Sequence, residues 1–582
     1  MKGEYLIEQG TKDNTSMGKN NYLVLFLVLF MTALVFSGSL KLGWTNWDDD
    51  LYVYKNPVVR EGALKEIFTT SGDYNMYVPL VIASFALEWK LVQDKPFLYH
   101  LDNLLLHLFC TALVLLFFRR LGLSVWWSGF AAMLFGIQPM RVETVAWITE
   151  RKELLCTFFY LASLLAYLGY TDSGKIRYML FPILFFTLSM FSKTAALTLP
   201  FILVLLDWYF QRKFCPKVIV EKIFFFIVTV AIMLPQYFIF KKTNPPSTSP
   251  QAIMNAYNYL EQAVLGCYVY AVYMLKAVIP YPLSAMYPVP ASLQAVHWTG
   301  AAVALFAVGG VLAGWRRYRF AAFGLLFFSF NIGLLILVSF FLSDFAFLND
   351  HYSYIAYIGL FFIMAMSLQR LTDKFSSVRI PVVGFAVGLL AVLSFVTIQY
   401  IPVWKNSGTL WTHVMDQYPR KFATAYLNRG QYWYENNQPD KALKDFSMAI
   451  EIKPDFPAAF QNRALIYLMQ NDLLKALQDY NRYLEMMQSC DKGGKSADSR
   501  MSDALGNRGL IYYRMGQYQK ALADLDMAIT LNPSNPTNYF NRASVNHKTG
   551  RIAEAKRDVK TIRQMGVVID PAFEKLLKLS TE

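Results

Sequence analysis

Polar and apolar positions divide the chain into two regimes with different periods. From residue 22 to residue 402, apolar runs of roughly 16 to 23 residues alternate with short charged connections. Runs near 20 residues match the hydrocarbon thickness of a bilayer. They predict helical spans at 22–40, 98–118, 124–139, 154–171, 176–192, 194–211, 222–240, 299–314, 320–342, 351–370 and 380–402, about eleven in all. The run 260–279 is apolar as well, but as a twelfth span it would put Arg316, Arg317 and Arg319 on the wrong side, so it is expected to be re-entrant or interfacial. The first run follows Lys2, Lys12 and Lys19 and is too long for a signal-peptide core, so it reads as an uncleaved span behind a cytoplasmic 1–21.

Beyond Trp404 the pattern becomes amphipathic and repetitive. Asn428-Arg429-Gly430, Asn462-Arg463-Ala464, Asn507-Arg508-Gly509 and Asn541-Arg542-Ala543 recur at spacings of 34, 45 and 34. Ala442, Ala476, Ala521 and Ala555 repeat at the same intervals, and Pro454 and Pro533 close two of the units. This segment resembles the tetratricopeptide repeats, helix-turn-helix units of 34 residues that stack into a solenoid. The expected organisation is a membrane domain 22–403, a linker 404–422, repeats at 423–456, 457–490, 502–535 and 536–569, and a tail 570–582. The 11 extra residues between the second and third repeats are expected as a loop within Gln488–Arg500.

Composition sharpens this picture. The chain is 55% hydrophobic and 16% aromatic, which excludes an ordinary soluble domain. Its net charge of +14 lies in short clusters between apolar runs, a topology signal rather than a nucleic-acid stripe. Arg119–Arg120, Lys175/Arg177, Arg212/Lys213/Lys217, Arg316/Arg317/Arg319 and Arg370/Lys374/Arg379 all fall in cytoplasmic connections if the N-terminus is cytoplasmic. The first long connection 41–97 and the repeats then share the opposite compartment. The five cysteines form no C-x-x-C pair, so neither a zinc site nor a disulfide framework is expected.

Four polar clusters interrupt the apolar pattern on that side. Asp48-Asp49-Asp50 follow the first span: a base or metal ligand on one reading, a solvated acidic loop on the other. Arg141-Val142-Glu143 and Glu150-Arg151-Lys152-Glu153 lie between spans three and four, and Lys193 at a further outer junction. These cations suit a lipid-linked phosphate, although pairing of Arg141, Glu143, Arg151 and Glu153 along one helix is an open alternative. His100, Asn103 and His107 open the second span beside Asp102, more as a hydrogen-bond network than as substrate contacts. Asp350-His351 lie at the outer end of span ten, and Asp207 at the inner end of span six is expected to cap a helix or pair with Arg212.

Together these residues resemble the polytopic proteins with C-terminal tetratricopeptide repeats that include the transmembrane-and-TPR protein O-mannosyltransferases and bacterial relatives. The resemblance runs through Trp47-Asp48-Asp49, Tyr52, Asn56-Pro57, Tyr99-His100, Asn103, His107, Glu143, Val145-Ala146-Trp147, Arg151-Lys152, Ser192-Lys193, Leu199-Pro200, Asp350, Tyr352 and Tyr354. It implies an all-α fold of C-type glycosyltransferase architecture, a polytopic helix bundle followed by an α-solenoid. It also implies transfer of a mannose-like sugar from a polyprenyl-phosphate donor to a protein or glycan hydroxyl, with inversion. By family position Asp48 or Asp49 is the base; on electrostatic grounds Arg141, Arg151, Lys152 and Lys193 are expected to neutralise the donor phosphate, with Glu143, His100, Asn103, His107, Asp350 and His351 in support. No metal or cofactor is required by this reading, although Asp48 to Asp50 are compatible with a divalent cation. The chain departs from the family at Gln138, Arg141, Thr194 and His351. The absence of a glycosylation sequon in the outer segments suggests a bacterial inner membrane, with the repeats in the periplasm, where their concave face would hold a peptide or protein. The competing reading is a non-catalytic membrane scaffold built around the repeats.

Overall fold

A computed structural model of the chain describes residues 19–69, 77–213, 215–243, 257–342, 348–489 and 495–569. The first cations, Lys2 and Lys12, and the tail 570–582 lie outside the described residues. Among those described, every regular element is helical. The chain divides into two compact units, residues 1–417 and 418–582.

In the first unit the apolar runs become helices α1 (Lys19–Phe36), α3 (Pro96–Arg120), α4 (Val125–Ile137), α5 (Arg151–Ser173), α6 (Leu180–Ser192), α7 (Leu199–Tyr209), α8 (Pro216–Thr243), α10 (Ala295–Ala313), α11 (Arg319–Leu342), α12 (Ser353–Lys374) and α13 (Arg379–Tyr400). Three further helices, α2 (Pro79–Val92), α9 (Tyr259–Lys276) and α14 (Ser407–Gln417), complete the set that matters here. Seven of the apolar helices are long enough to cross a membrane, and the stretches 125–137, 176–192, 194–209 and 295–311 are shorter apolar helices. The chain is a multi-pass membrane protein. The run expected to be re-entrant or interfacial forms one unbroken helix, α9, opened by a capping box between Asn258 and Glu261 and packed on α10 and α11.

Helix packing follows membrane rules, with small residues at the closest crossings. Gly324 of α11 and Gly359 of α12 face each other, and a Cβ on either would collide with the other's carbonyl oxygen. Gly136 of α4 packs on Thr32 of α1 and Thr111 of α3 in the same way.

The two ends of this bundle are assembled from different connections. Segments after the second, fourth, sixth, eighth and tenth apolar helices meet at one end. There Arg120 pairs with Asp172, Tyr209 donates to Leu121 O at 3.0 Å, Trp208 stacks on Trp315 at 5.8 Å, and Ser124 N donates to Gln369 Oε1 at 2.8 Å. All five basic clusters lie at or beside this end. Asp207 here accepts from Tyr167 at 2.8 Å, pairs with Arg212 at 3.5 Å and contacts Lys222.

The second unit holds four helix pairs: α15 (Ala423–Glu435) with α16 (Pro439–Ile452), α17 (Pro457–Met469) with α18 (Leu473–Ser489), α19 (Lys495–Arg514) with α20 (Tyr518–Leu531), and α21 (Pro536–Lys548) with α22 (Ile552–Gln564). The four periodic alanines are fully buried, as the helix–helix contact requires. The recurrent arginines explain the tripeptides. Arg429, Arg463, Arg508 and Arg542 each grip an aspartate 16 residues on, Asp445, Asp479, Asp524 and Asp558, with distances of 2.6–2.8 Å. From the second repeat onward the same guanidinium also reaches the preceding repeat, at Ser447, Asn481 and Asp526. Each arginine therefore closes its own hairpin and stitches it to its neighbour. The insertion is not all loop: α18 runs to Ser489 and α19 begins at Lys495, so part of it lengthens the flanking helices.

Candidate functional site

The connections after the first, third, fifth, ninth and eleventh apolar helices converge at the other end of the first unit. Their meeting is set by how the chain leaves α1. Gly43 N donates to Lys405 O at 2.9 Å, Asn46 N to Ser407 Oγ at 2.8 Å, and Trp411 Nε1 to Asn46 Oδ1 at 2.8 Å. Residues 407–417, inside the stretch expected as a linker, thus form helix α14, which is clamped to the first connection. Trp47, Trp147, Trp404 and Trp411 pack in series with ring centroids 4.9–5.9 Å apart. Past one wide helical turn, Asp50–Tyr54, Asn56 caps the short helix Pro57–Glu61 by accepting from Val58 N and Val59 N.

This frame gives the adjacent aspartates different environments. Asp49 is 1% exposed, and its carboxylate accepts four hydrogen bonds: from Thr45 N and Oγ1 at 3.0 and 2.8 Å, and from Thr149 N and Oγ1 at 3.2 and 3.1 Å. It pins the first connection to the third. Asp48 keeps 31% of its side chain exposed, and its Oδ2 lies 4.0 Å from Lys152 Nζ. Burial raises the Asp48 carboxyl from the usual 3.8 to about 6, against the opposing pull of Lys152. Burial likewise raises Asp49 to about 6, against its hydrogen bonds.

From Asp48 a chain of alternating charge runs inward. Lys152 Nζ is 3.4 Å from Glu150, Glu150 is 3.1 Å from Lys193 Nζ, and Lys193 is 2.8 Å from Glu153. Lys152 also lies over the Tyr52 ring at 4.7 Å and the Trp147 ring at 5.5 Å. Glu143 binds His351 twice, at Nδ1 (3.0 Å) and at the main-chain N (3.1 Å), and burial raises its carboxyl. Next to it Asp350 accepts from Lys276 at 2.9 Å and from Tyr287 at 2.9 Å.

The structure divides the cations expected to meet the donor phosphate. Lys152 stands beside Asp48, and Lys193 is joined to Lys152 through Glu150. Arg141 and Arg151 do not: both are buried as structural groups. Arg151 pairs with Glu88 of α2, donates from Nε to Asn103 Oδ1 at 2.8 Å and from Nη2 to Tyr99 O at 2.8 Å. Arg141 donates to Phe135 O and Ser353 Oγ among the rings of Phe135, Tyr354 and Tyr357, with no carboxylate partner among the described residues. The alternative of mutual pairing along one helix also fails. Arg141, Glu143, Arg151 and Glu153 each take a different partner: Ser353, His351, Glu88 and Lys193.

Of the second-span polar residues, Asn103 ties the 147–151 segment by donating to Trp147 O and Ile148 O at 3.3 Å. His107 bridges Tyr354 Oη at 2.7 Å and Gly136 O at 2.8 Å, and His100 is buried nearby. These are bundle contacts. Gln138 binds Lys276 O at 2.9 Å and so fixes the end of α9 to this wall. Sequence reasoning missed Glu150, Glu88, Lys276 and Tyr287. The first sits inside the Glu-Arg-Lys-Glu run and the third ends an apolar run, which are the signals that were there to read. No group of three or more His, Cys, Asp or Glu side chains arranged for a metal occurs among the described residues.

Comparison with known proteins adds two findings. The tetratricopeptide repeat family matches residues 423–456 and 502–535, the first and third helix pairs. The chain is similar to protein O-mannosyl-transferases: to TMTC2 of Mus musculus, 35% identical over 107 residues, 18% of this chain and 13% of that protein; and to TMTC3 of Mus musculus, 30% identical over 167 residues, 27% of this chain and 18% of that protein. The match therefore spans less than a fifth of the length of either relative. Among solved structures, MamA covers 27% of this chain and 86% of its own at 16% identity, with a TM-score of 0.24.

Proposed function

We propose that this relative of the protein O-mannosyl-transferases is itself a membrane glycosyltransferase. It moves a mannose-like sugar from a polyprenyl-phosphate donor to a hydroxyl of a protein or glycan acceptor, with Asp48 as base. The observation that carries this reading is the contrast between the two aspartates: Asp49 has its carboxylate filled by four hydrogen bonds, while Asp48 is partly exposed, raised to about 6, and set against Lys152. A base is most useful when its pKa lies near working pH, and a sugar or side-chain hydroxyl needs one.

In the reaction, the acceptor oxygen attacks the anomeric carbon from the face opposite the phosphate. Its proton passes to Asp48, and the carbon–oxygen bond to phosphate breaks with the electron pair leaving on the lipid phosphate. This single displacement inverts the anomeric centre. Lys152 and Lys193 neutralise the departing phosphate, each worth ~3 kcal/mol in a water-poor site. Glu150 holds both ammonium groups in place beforehand. With the basic end of the bundle cytoplasmic, as the positive-inside rule prefers, the site and the repeats face the outside of a bacterial inner membrane, and the repeats present the acceptor.

The test is transfer of radiolabelled sugar from polyprenyl-phosphate donors to protein or glycan in membranes, at matched expression. Asp48→Asn abolishes transfer while the protein remains folded. Transfer by Asp48→Asn at the wild-type rate removes Asp48 as base, and no transfer by wild type from a broad donor panel removes the proposal in favour of a scaffold.

A further inference from the structure

The basic end of the bundle, away from the charged chain around Asp48, carries cations that no carboxylate neutralises. Arg120, Arg212 and Lys222 are matched there by Asp172, Glu221 and Asp207. Arg316, Arg319 and Arg370 have no ion-pair partner among the described residues, and the exposed Asp373 pairs with none of them. The Nε–H of Arg319 is buried without an acceptor among those residues.

Aromatic rings set these guanidiniums in place. Trp208 of α7 and Trp315, in the turn between α10 and α11, stack almost parallel, 5.8 Å apart and 1° from coplanar. Each indole carries one cation: Arg316 lies over Trp315 and Arg319 over Trp208, both at 5.6 Å. Arg370 of α12 lies over the ring of Phe320, the residue after Arg319, at 4.2 Å. Stacking uses the flat face of a guanidinium and leaves its edge N–H groups for an acceptor outside the protein, a fork that fits the oxygens of a phosphate. From this cluster an apolar seam runs into the membrane between α7 and α11. Trp208, Val204 and Phe201 share one face of α7, and Arg319, Leu326 and Phe330 one face of α11. Phe201 and Phe330 are both exposed and stack on each other at 5.7 Å. α11 is long and apolar enough to cross a membrane, and α7 is one of the shorter apolar helices, so the seam faces hydrocarbon. From Arg319 to Phe330 the helix rises about 16 Å, about the depth of one leaflet.

We propose that Arg316 and Arg319, seated on the stacked Trp208–Trp315 pair, hold the phosphodiester of an anionic glycerophospholipid from the leaflet at this end, with one acyl chain along the seam between α7 and α11. Arg370 adds a third positive charge from α12. The anionic headgroup is selected because three guanidiniums repel the ammonium or choline of a zwitterionic one. The bound phosphate in turn offsets the repulsion among these guanidiniums, which otherwise works against the close packing of α11 on α12. This site is separate from the centre around Asp48 and stands whatever that centre does.

The experiment uses the full chain in phosphatidylcholine nanodiscs doped with phosphatidylglycerol that bears a diazirine in its acyl chain, read by mass spectrometry of the photolabelled peptides. Labelling is expected on α7 and on the first half of α11. Arg316→Gln and Arg319→Gln combined in one chain lower it about tenfold. Neither arginine closes an ion pair, so the fold is retained, and Arg316→Gln alone, in an exposed turn, lowers labelling in the same direction should the double variant unfold. Arg379→Gln removes the same charge from the start of α13 and keeps full labelling, which separates a site from the general positive potential of this end. Four results overturn the proposal: equal labelling of these peptides by a diazirine-bearing phosphatidylcholine, undiminished labelling in the folded arginine variants, an equal loss in Arg379→Gln, or displacement of the lipid by inorganic phosphate, which marks a small-anion site instead.

Discussion

Replacing Lys152 with Met tests the electrostatic core of the proposed mechanism. Asp48 titrates near 6 because burial raises its carboxyl and Lys152 partly restores it. At 4.0 Å the attraction is worth ~1 kcal/mol at the dielectric constant of water and ~4 kcal/mol at an effective value of 20. The carboxylate is part-exposed, so the lower half of that range applies, and one pH unit corresponds to about 1.4 kcal/mol. Removing the ammonium also leaves Glu150 to repel Asp48, which works in the same direction. The sign is fixed by the base role: transfer needs ionised Asp48, so kcat/KM rises with pH and levels off above the Asp48 pKa. In Lys152→Met the inflection moves upward from about 6 by about one unit or more, whatever the loss in absolute rate, while Lys152→Arg returns it towards the wild-type position. The assay is a pH–rate profile of sugar transfer for the three proteins, with thermal unfolding measured alongside. An inflection that stays in place or moves downward in Lys152→Met, with the fold intact, refutes the pairing and with it Asp48 as the titrating base.

Asp49→Asn lowers stability more than Asp48→Asn, by about 1–3 kcal/mol, because its amide nitrogen faces a main-chain or hydroxyl donor that the carboxylate now satisfies; equal unfolding midpoints in denaturant count against the clamp. With its folded-state carboxyl raised to about 6, Asp49 makes the folded protein bind the extra proton, so its contribution to stability falls as pH rises from about 4 to about 6 and is flat above. Unfolding midpoints across that window distinguish wild type from Asp49→Asn. Trp411→Ala removes a fully buried ring and the Asn46 bond, costing about 3–5 kcal/mol locally, and increases hydrogen exchange in residues 43–54. Asp479→Ala leaves Arg463 with only its bond to Ser447 and costs about 1–3 kcal/mol, read as earlier proteolysis of the second repeat in the full chain.

The helical framework was legible because each apolar run has a length and each repeat a fixed period, both local properties. The fate of individual charges was not. Arg141 and Arg151 look like the neighbouring Lys152 in sequence. Yet Arg151 turns towards Glu88 and Asn103, 63 and 48 residues away, while Lys152 turns towards Asp48. One residue of rotation on α5 decides this, and only the packed bundle fixes that rotation. Asp48 and Asp49 are separated by the same logic, since Thr149, which fills half of Asp49, lies 100 residues on. Lys276 escaped notice because its run was set aside on topological grounds, and those grounds say nothing about where the end of α9 packs. The linker prediction stopped at the change in composition, whereas Trp411 carries the packing of the first unit past it.

The clamp between Asn46 and Trp411 joins residues 365 positions apart. A ribosome must therefore deliver eleven apolar segments before the first of these residues meets its partner. During that interval the first connection lacks the part of its frame that Trp411 supplies by packing on Trp47. Closure of this end of the bundle is therefore among the last steps in assembling the first unit, and any product truncated before residue 411 lacks the clamp.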